Sequence, residues 1–233
     1  MRKMINAPEM SDVKFIVGEE QKVVYAHRCI LAYRCEAFRT MFAQRVLSHD
    51  AKEAEVPFVL SDVQPDVFLA VVEFLYTNCV MLSRDIALDV LTSAVEYGLD
   101  ELQRMCVDYI NSTLTVESAC EALQAAVTYR QTNMKDKCLA FIEGHTKVVL
   151  DKPVPEIAKD VICELRLFLL SPEELTILEA ENKKDNLIPM DKIAEVWKFH
   201  ALKKPSGITA HLPRRRKGTR LREHHKYLNL YHK

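Results

Sequence analysis

Apolar residues follow a two-residue period in three short stretches before residue 61, and a helical period nearly everywhere else. Val13, Phe15 and Val17 alternate with Lys14 and Ile16; Val23-Val24-Tyr25-Ala26 and Val56, Phe58, Leu60 read the same way. Successive side chains of a strand point to opposite faces, so each stretch can bury one face only. Three strands this short need helices to cover that face. Gly18-Glu19-Glu20-Gln21-Lys22 separates the first two strands as a turn and makes them a hairpin. The expected fold class is therefore α+β, with a small three-stranded sheet capped by helices.

The helical stretches carry their own punctuation. Leu31, Cys35, Phe38 and Phe42, with Met41 beside them, recur at helical spacing, and the polar run from Ser48 to Glu55 reads as a loop. Phe68, Val71, Val72 and Leu75 mark a further helix. Ala87, Val90, Leu91, Ala94 and Val95 mark the next, with Ser83 as its N-cap and Gly98 at its stop. Leu102, Met105, Cys106 and Tyr109 start another stripe. Beyond residue 112 the pattern is all-helical. The stripes are Val116 to Val127, Met134 to His145, and Ala158, Val161, Ile162, Leu165 and Leu169. Pro153 and Pro155 interrupt them, since proline breaks a helix interior. Ser171-Pro172-Glu173-Glu174 has the form of a capped helix start, and Met190, Ile193, Val196, Trp197 and His200 share one face of a last helix.

Composition narrows the function classes. The chain has five glycines in 233 residues, none clustered as a phosphate-cradling loop requires. No run approaches the ~18 apolar residues of a membrane span, and Met1 to Asn6 lack the apolar core of a secretory signal. The seven cysteines form no Cys-x-x-Cys pair and fall mostly on apolar faces. They read as small core residues in a reducing compartment, cytoplasmic or nuclear. The net charge of −1 conceals an asymmetry. Residues 203–233 hold ten of the 32 Lys and Arg and one of the 33 Asp and Glu, so a segment of +9 follows a body of −10. Its core is Arg214-Arg215-Arg216-Lys217 with Arg220 and Arg222. The cations read as a solvated tail or one resting on the acidic body, with nuclear import or phosphate contact as the functional alternatives. With only Tyr227 and Tyr231 nearby and no DNA-reading pattern, base-specific nucleic-acid recognition is not expected.

Ser11-Asp12-Val13-Lys14-Phe15, Tyr25 to Ala32, and Phe38-Arg39-Thr40-Met41-Phe42 resemble the opening of a BTB/POZ domain. Phe74 to Asn78, Ala94 to Leu99, and Leu102 with Cys106 continue the resemblance over residues 11–111. Cys120 to Ile142, Leu165 to Ser171 and Glu195 to Leu202 resemble parts of the helical BACK module, with too few residues between them for its middle helices; the join falls near Leu150-Asp151. The expected organisation is a short N-terminal segment 1–10, a BTB/POZ domain 11–111, an abbreviated BACK-like region 112–203 and a basic tail 204–233.

The resemblance implies a protein-interaction module, not an enzyme, with no cofactor or metal. Asp12 and Arg28 match a charged pair near the dimer groove of transcriptional relatives, or a structural pair; His27 reads as a hydrogen-bonding residue at a helix entry. Cullin-binding relatives carry a hydrophobic-x-Glu element matching Val46-Leu47-Ser48, so Ser48 stands where the family has glutamate. Met41, Phe42, Val46 and Tyr76 are the partner-facing candidates, against the alternative of ordinary core. Homodimerisation is the family's expectation, though the ten residues before Ser11 leave little room for its additional helix. Two functions follow as expectations: a substrate adaptor of a cullin-RING ubiquitin ligase, or a nuclear regulatory factor using the basic tail for import or nucleic-acid contact.

Overall fold

The computed structural model describes residues 1–47, 56–146, 149, 165 and 167–202, without the side chains of 45–47, 169 and 185. The chain divides into two compact units, Met1–Thr113 and Leu114–Lys233.

In the first unit, β1 (Val13–Val17) and β2 (Lys22–Ala26) form the expected hairpin, Val13 opposite Ala26 and Val17 opposite Lys22. The turn between them begins at Gly18, whose φ of +73° favours a residue without Cβ. β3 (Phe58–Leu60) pairs parallel to β1, Phe15 opposite Phe58, giving the order β2-β1-β3. Val56, expected inside this strand, lies before it and is exposed. Pleating sends Val13, Phe15, Val17, Val24, Ala26 and Phe58 to one buried face. Phe15 centres it, its ring 4.9 Å from Phe68, 5.5 Å from Phe58 and 5.8 Å from Phe38.

The helices over this face are α1 (Arg28–Arg34), α2 (Glu36–Leu47), α3 (Pro65–Thr77), α4 (Ala87–Glu96) and α5 (Asp100–Thr113). The single stripe expected from Leu31 to Phe42 is two helices. Cys35 takes an extended backbone, φ −144° and ψ 121°, which breaks the ladder without moving Phe38 off the core face. α3 opens on Pro65, whose missing N–H is no loss at that position. It ends at Asn78 with φ 58°. Gly98, φ +67°, stops α4 as expected, and the Leu99 amide donates to the Ala94 carbonyl across it at 2.8 Å. Ser83 does not cap by its side chain: α4 starts at Ala87, and only the Ser83 carbonyl serves it, accepting from the Ala87 amide. Residues 1–10 contain one 3-10 turn, Arg2–Met4, held by an Arg2–Glu73 ion pair of 3.1 Å and by Asn6 Oδ1 accepting from the Tyr25 amide.

In the second unit, α6 (Ala119–Thr128) and α7 (Thr132–Gly144) pack against each other through Cys120, Leu123, Met134 and Cys138. Of the third expected stripe, residues 158, 161 and 162 lie outside the described residues. Leu165 is buried, and Leu167–Leu169 is a 3-10 turn instead of a continuing α-helix. Ser171 forms the expected capping box: its hydroxyl accepts from the Glu174 amide, and the Glu174 carboxylate accepts from the Ser171 amide. This opens α8 (Pro172–Asp185), followed by α9 (Met190–Leu202). Asn182 clamps the connection, its side chain meeting both the amide and the carbonyl of Ile188 at 2.8 and 2.7 Å. The buried face of α9 is Ile193, Val196 and Phe199; Met190, expected on it, is exposed. Trp197 Nε1 instead donates to Glu179 on α8 at 3.0 Å. Among the described residues no helix is long and apolar enough to cross a membrane.

Candidate protein-interaction site

The residues singled out by sequence meet where β1 begins, α1 begins and α3 ends. The chain leaves β2 at His27, the N-cap of α1, which offers no side-chain cap of its own. Asp12, just ahead of β1, supplies it: one carboxylate oxygen accepts from the Arg28 amide at 2.6 Å. A carboxylate at a helix N-terminus satisfies a free donor and suits the positive end of the helix. Arg28 returns a bond, its Nε donating to the Asp12 carbonyl at 3.1 Å, and its guanidinium lies 5.4 Å from the centre of the Phe42 ring, within cation–π range.

On the inner side, the His27 amide donates to Tyr76 Oη at 2.9 Å, and the same oxygen lies 2.8 Å from His27 Nδ1. With Oη accepting from the amide, its own hydrogen is available for Nδ1, an assignment that leaves the ring proton on Nε2. Burial pushes the Tyr76 hydroxyl up to about 12, so it remains protonated at neutral pH. The expectation of His27 as a hydrogen-bonding residue at a helix entry agrees with this geometry.

For two of the partner-facing candidates the alternative of ordinary core fits the burial. Phe42 and Tyr76 are core residues, 6% and 4% exposed, because Phe42 packs on Phe38 and Phe58 while Tyr76 reaches inward to His27. Asp12 and Arg28, in contrast, interact at the surface: Asp12 is exposed and Arg28 half-buried. Met41 is half-buried. The Val46 side chain, Ser48, Arg214, Arg215, Arg216, Lys217, Arg220 and Arg222 lie outside the described residues.

What the helices display outward is different. Tyr33 on α1 is 89% exposed, with Arg34 and, on α2, Arg39 and Thr40 exposed near it in sequence. Sequence reasoning passed over Tyr33, yet it falls between Leu31 and Cys35, off the buried stripe, where an aromatic residue has no core to enter. Tyrosine presents a large apolar surface with a polar tip at small entropy cost, as contact residues do. Among the described residues no three His, Cys, Asp or Glu side chains are placed to hold a metal ion.

A match to the BTB/POZ domain family covers residues 1–114. BTB/POZ domain-containing protein 19 from Bos taurus and from Homo sapiens are each 40% identical over 275 aligned positions, covering 99% of this chain and 93% of theirs. An alignment of 275 positions against a chain of 233 residues leaves at least 42 positions of those relatives without a counterpart. The Arabidopsis thaliana protein described as an ARM repeat protein interacting with ABF2 is 30% identical over 70% of this chain and 22% of its own. The BTB domain of zebrafish PATZ1 aligns with 44% of this chain and 77% of its own at 21% identity and a TM-score of 0.36. The match over residues 1–114 and the 40% identity to relatives along nearly the whole chain show that the chain belongs to the BTB/POZ domain family, whose shared domain is a protein–protein interaction module.

Proposed function

We propose that the chain is a non-enzymatic adaptor that binds a cullin scaffold through the surface formed by α1 and α2, within a ubiquitin ligase complex. The observation that carries this reading is the outward display of Tyr33 on a helix whose entry is held rigid by Asp12 and Tyr76. A pre-ordered helix loses little entropy on docking, so an exposed aromatic on it is an economical anchor. The region after Thr113 acts as an abbreviated BACK-like spacer carrying substrate, and the protein works in the reducing cytoplasm or nucleus. Co-precipitation of the full chain with a cullin scaffold tests this. Wild type binds, Tyr33→Ala and Met41→Ala bind less, and Ser48→Glu binds more because it restores the family's acidic position. Absence of binding by both wild type and Ser48→Glu overturns the reading.

The +9 segment favours a second reading, a nuclear regulatory factor. Replacing Arg214 to Lys217 by Ala then shifts a fluorescently tagged chain out of the nucleus; unchanged distribution rejects it.

A further inference from the structure

A groove of about 650 Å³ lies between the β1–β2 turn and the start of α3. It adjoins a second hollow of about 440 Å³ between β3 and α4, both bordered by Ser61–Gln64. Six exposed acids line the two: Glu19, Glu20, Asp62, Asp66, Asp89 and Glu96, against one base, Lys22. None of the six forms an ion pair among the described residues. Two further side chains border the hollow. Val59 presents its side chain there at 66% exposure. Ser93 lines it at 4% exposure, and its hydroxyl has no hydrogen bond among the described residues. The Ser93 hydroxyl is not one of the enclosed polar atoms that lack a partner, so it meets the solvent of the groove and can exchange water for a group entering there.

The acids come from the turn, the β3–α3 connection and α4, too dispersed to gather round one small cation. They are spaced for a chain of cations, and their sign repels nucleic acid and anionic lipid. We propose that the groove receives an extended lysine- and arginine-rich segment of a partner protein. The cations lie between the two sets of acids, an apolar side chain rests on Val59, and the segment's backbone meets the Ser93 hydroxyl. This site is separate from Tyr33 and does not depend on cullin binding.

Fluorescence anisotropy of the full chain with a labelled Lys/Arg-rich peptide tests it, beside a peptide with Gln at every basic position. The basic peptide binds and weakens with salt, and the Gln peptide does not bind. Asp62→Asn/Asp89→Asn/Glu96→Gln loses at least about tenfold in affinity, as removal of several complementary charges predicts. Ser93→Ala loses about threefold, the effect of one neutral hydrogen bond, and leaves the salt slope unchanged. Circular dichroism identical to wild type establishes that both variants are folded. Equal binding by the triple variant overturns the proposal, as does an unaltered affinity in Ser93→Ala. Binding that appears only after Arg214 to Lys217 are replaced by Ala assigns the groove to the chain's own basic segment and overturns the partner reading. Cullin co-precipitation by the triple variant stays at the wild-type level, so the two proposals fail separately.

Discussion

Tyr76 Oη is placed 2.9 Å from the His27 amide and 2.8 Å from His27 Nδ1, so one hydroxyl on α3 fixes both the backbone and the ring of the residue that opens α1. Tyr76→Phe keeps the ring and removes that oxygen, leaving a buried N–H and a buried ring nitrogen without their partner. The expected cost is about 1–3 kcal/mol, read as a lower urea midpoint with an unchanged m-value. A Tyr76→Phe variant as stable as wild type would show that this oxygen is dispensable.

Asp12 caps α1 from outside the helix, so its loss acts on the helix without creating a cavity. Asp12→Ala is expected to cost about 1 kcal/mol, the usual value of an N-cap side chain. Asp12→Asn, which keeps an accepting oxygen, recovers most of it. Thermal denaturation of the three proteins compares them directly.

Gly18 and Gly98 separate two costs that usually occur together. Both have positive φ, +73° and +67°. A Cβ at Gly18 would approach Pro65 Cδ at 3.0 Å, whereas one at Gly98 meets nothing within 4 Å. Gly98→Ala is expected to lose about 1–2 kcal/mol from the left-handed backbone alone, and Gly18→Ala more, because Pro65 cannot swing aside. Equal losses in denaturant titrations would remove the crowding argument.

Burial lowers the pKa of His200 on α9 from its ordinary value, against opposing contributions from the Leu170 backbone and Glu173. A histidine with a depressed folded pKa is favoured neutral in the native state, so the unfolded chain takes up protons first as pH falls. Its contribution is intact above about pH 6.5 and declines as pH drops below that value. Melting curves between pH 8 and 5 should show a shallower decline for His200→Gln than for wild type; parallel curves would contradict this.

Among the described cysteines, Cys29 and Cys79 are exposed, while Cys106 and Cys138 are buried with thiols pushed up to about 12. Only the thiolate reacts. Iodoacetamide at pH 8 should alkylate Cys29 and Cys79 well before Cys106 and Cys138 in the native protein, as peptide mass mapping reads out.

How much of this was legible follows from the range over which each feature is decided. The hairpin and the stop at Gly98 depend on neighbours a few residues away, and alternation or one glycine announces them. The break at Cys35 does not show, because Leu31, Cys35 and Phe38 all remain buried across it and the helical period continues uninterrupted. Phe42 and Tyr76 were candidates because they surround the Val46-Leu47-Ser48 element. Their burial depends on Phe38, Phe58 and His27, residues brought near by packing. The acidic groove was invisible for the same reason: Glu19, Asp62 and Asp89 become neighbours only when the turn, the β3–α3 connection and α4 assemble.

The central strand joins its two flanks over very unequal stretches of chain. Val17 pairs with Lys22 on one side and with Leu60 on the other. The short loop closes with little entropy loss and a hairpin forms in roughly 1–10 μs, whereas the parallel partner must wait for α1 and α2. Until β3 arrives, the Phe15 side of the hairpin is an unfinished, sticky surface. Refolding at high protein concentration should therefore lose yield to aggregation before β3 docks, and Phe58→Ala should worsen that loss by slowing the last pairing.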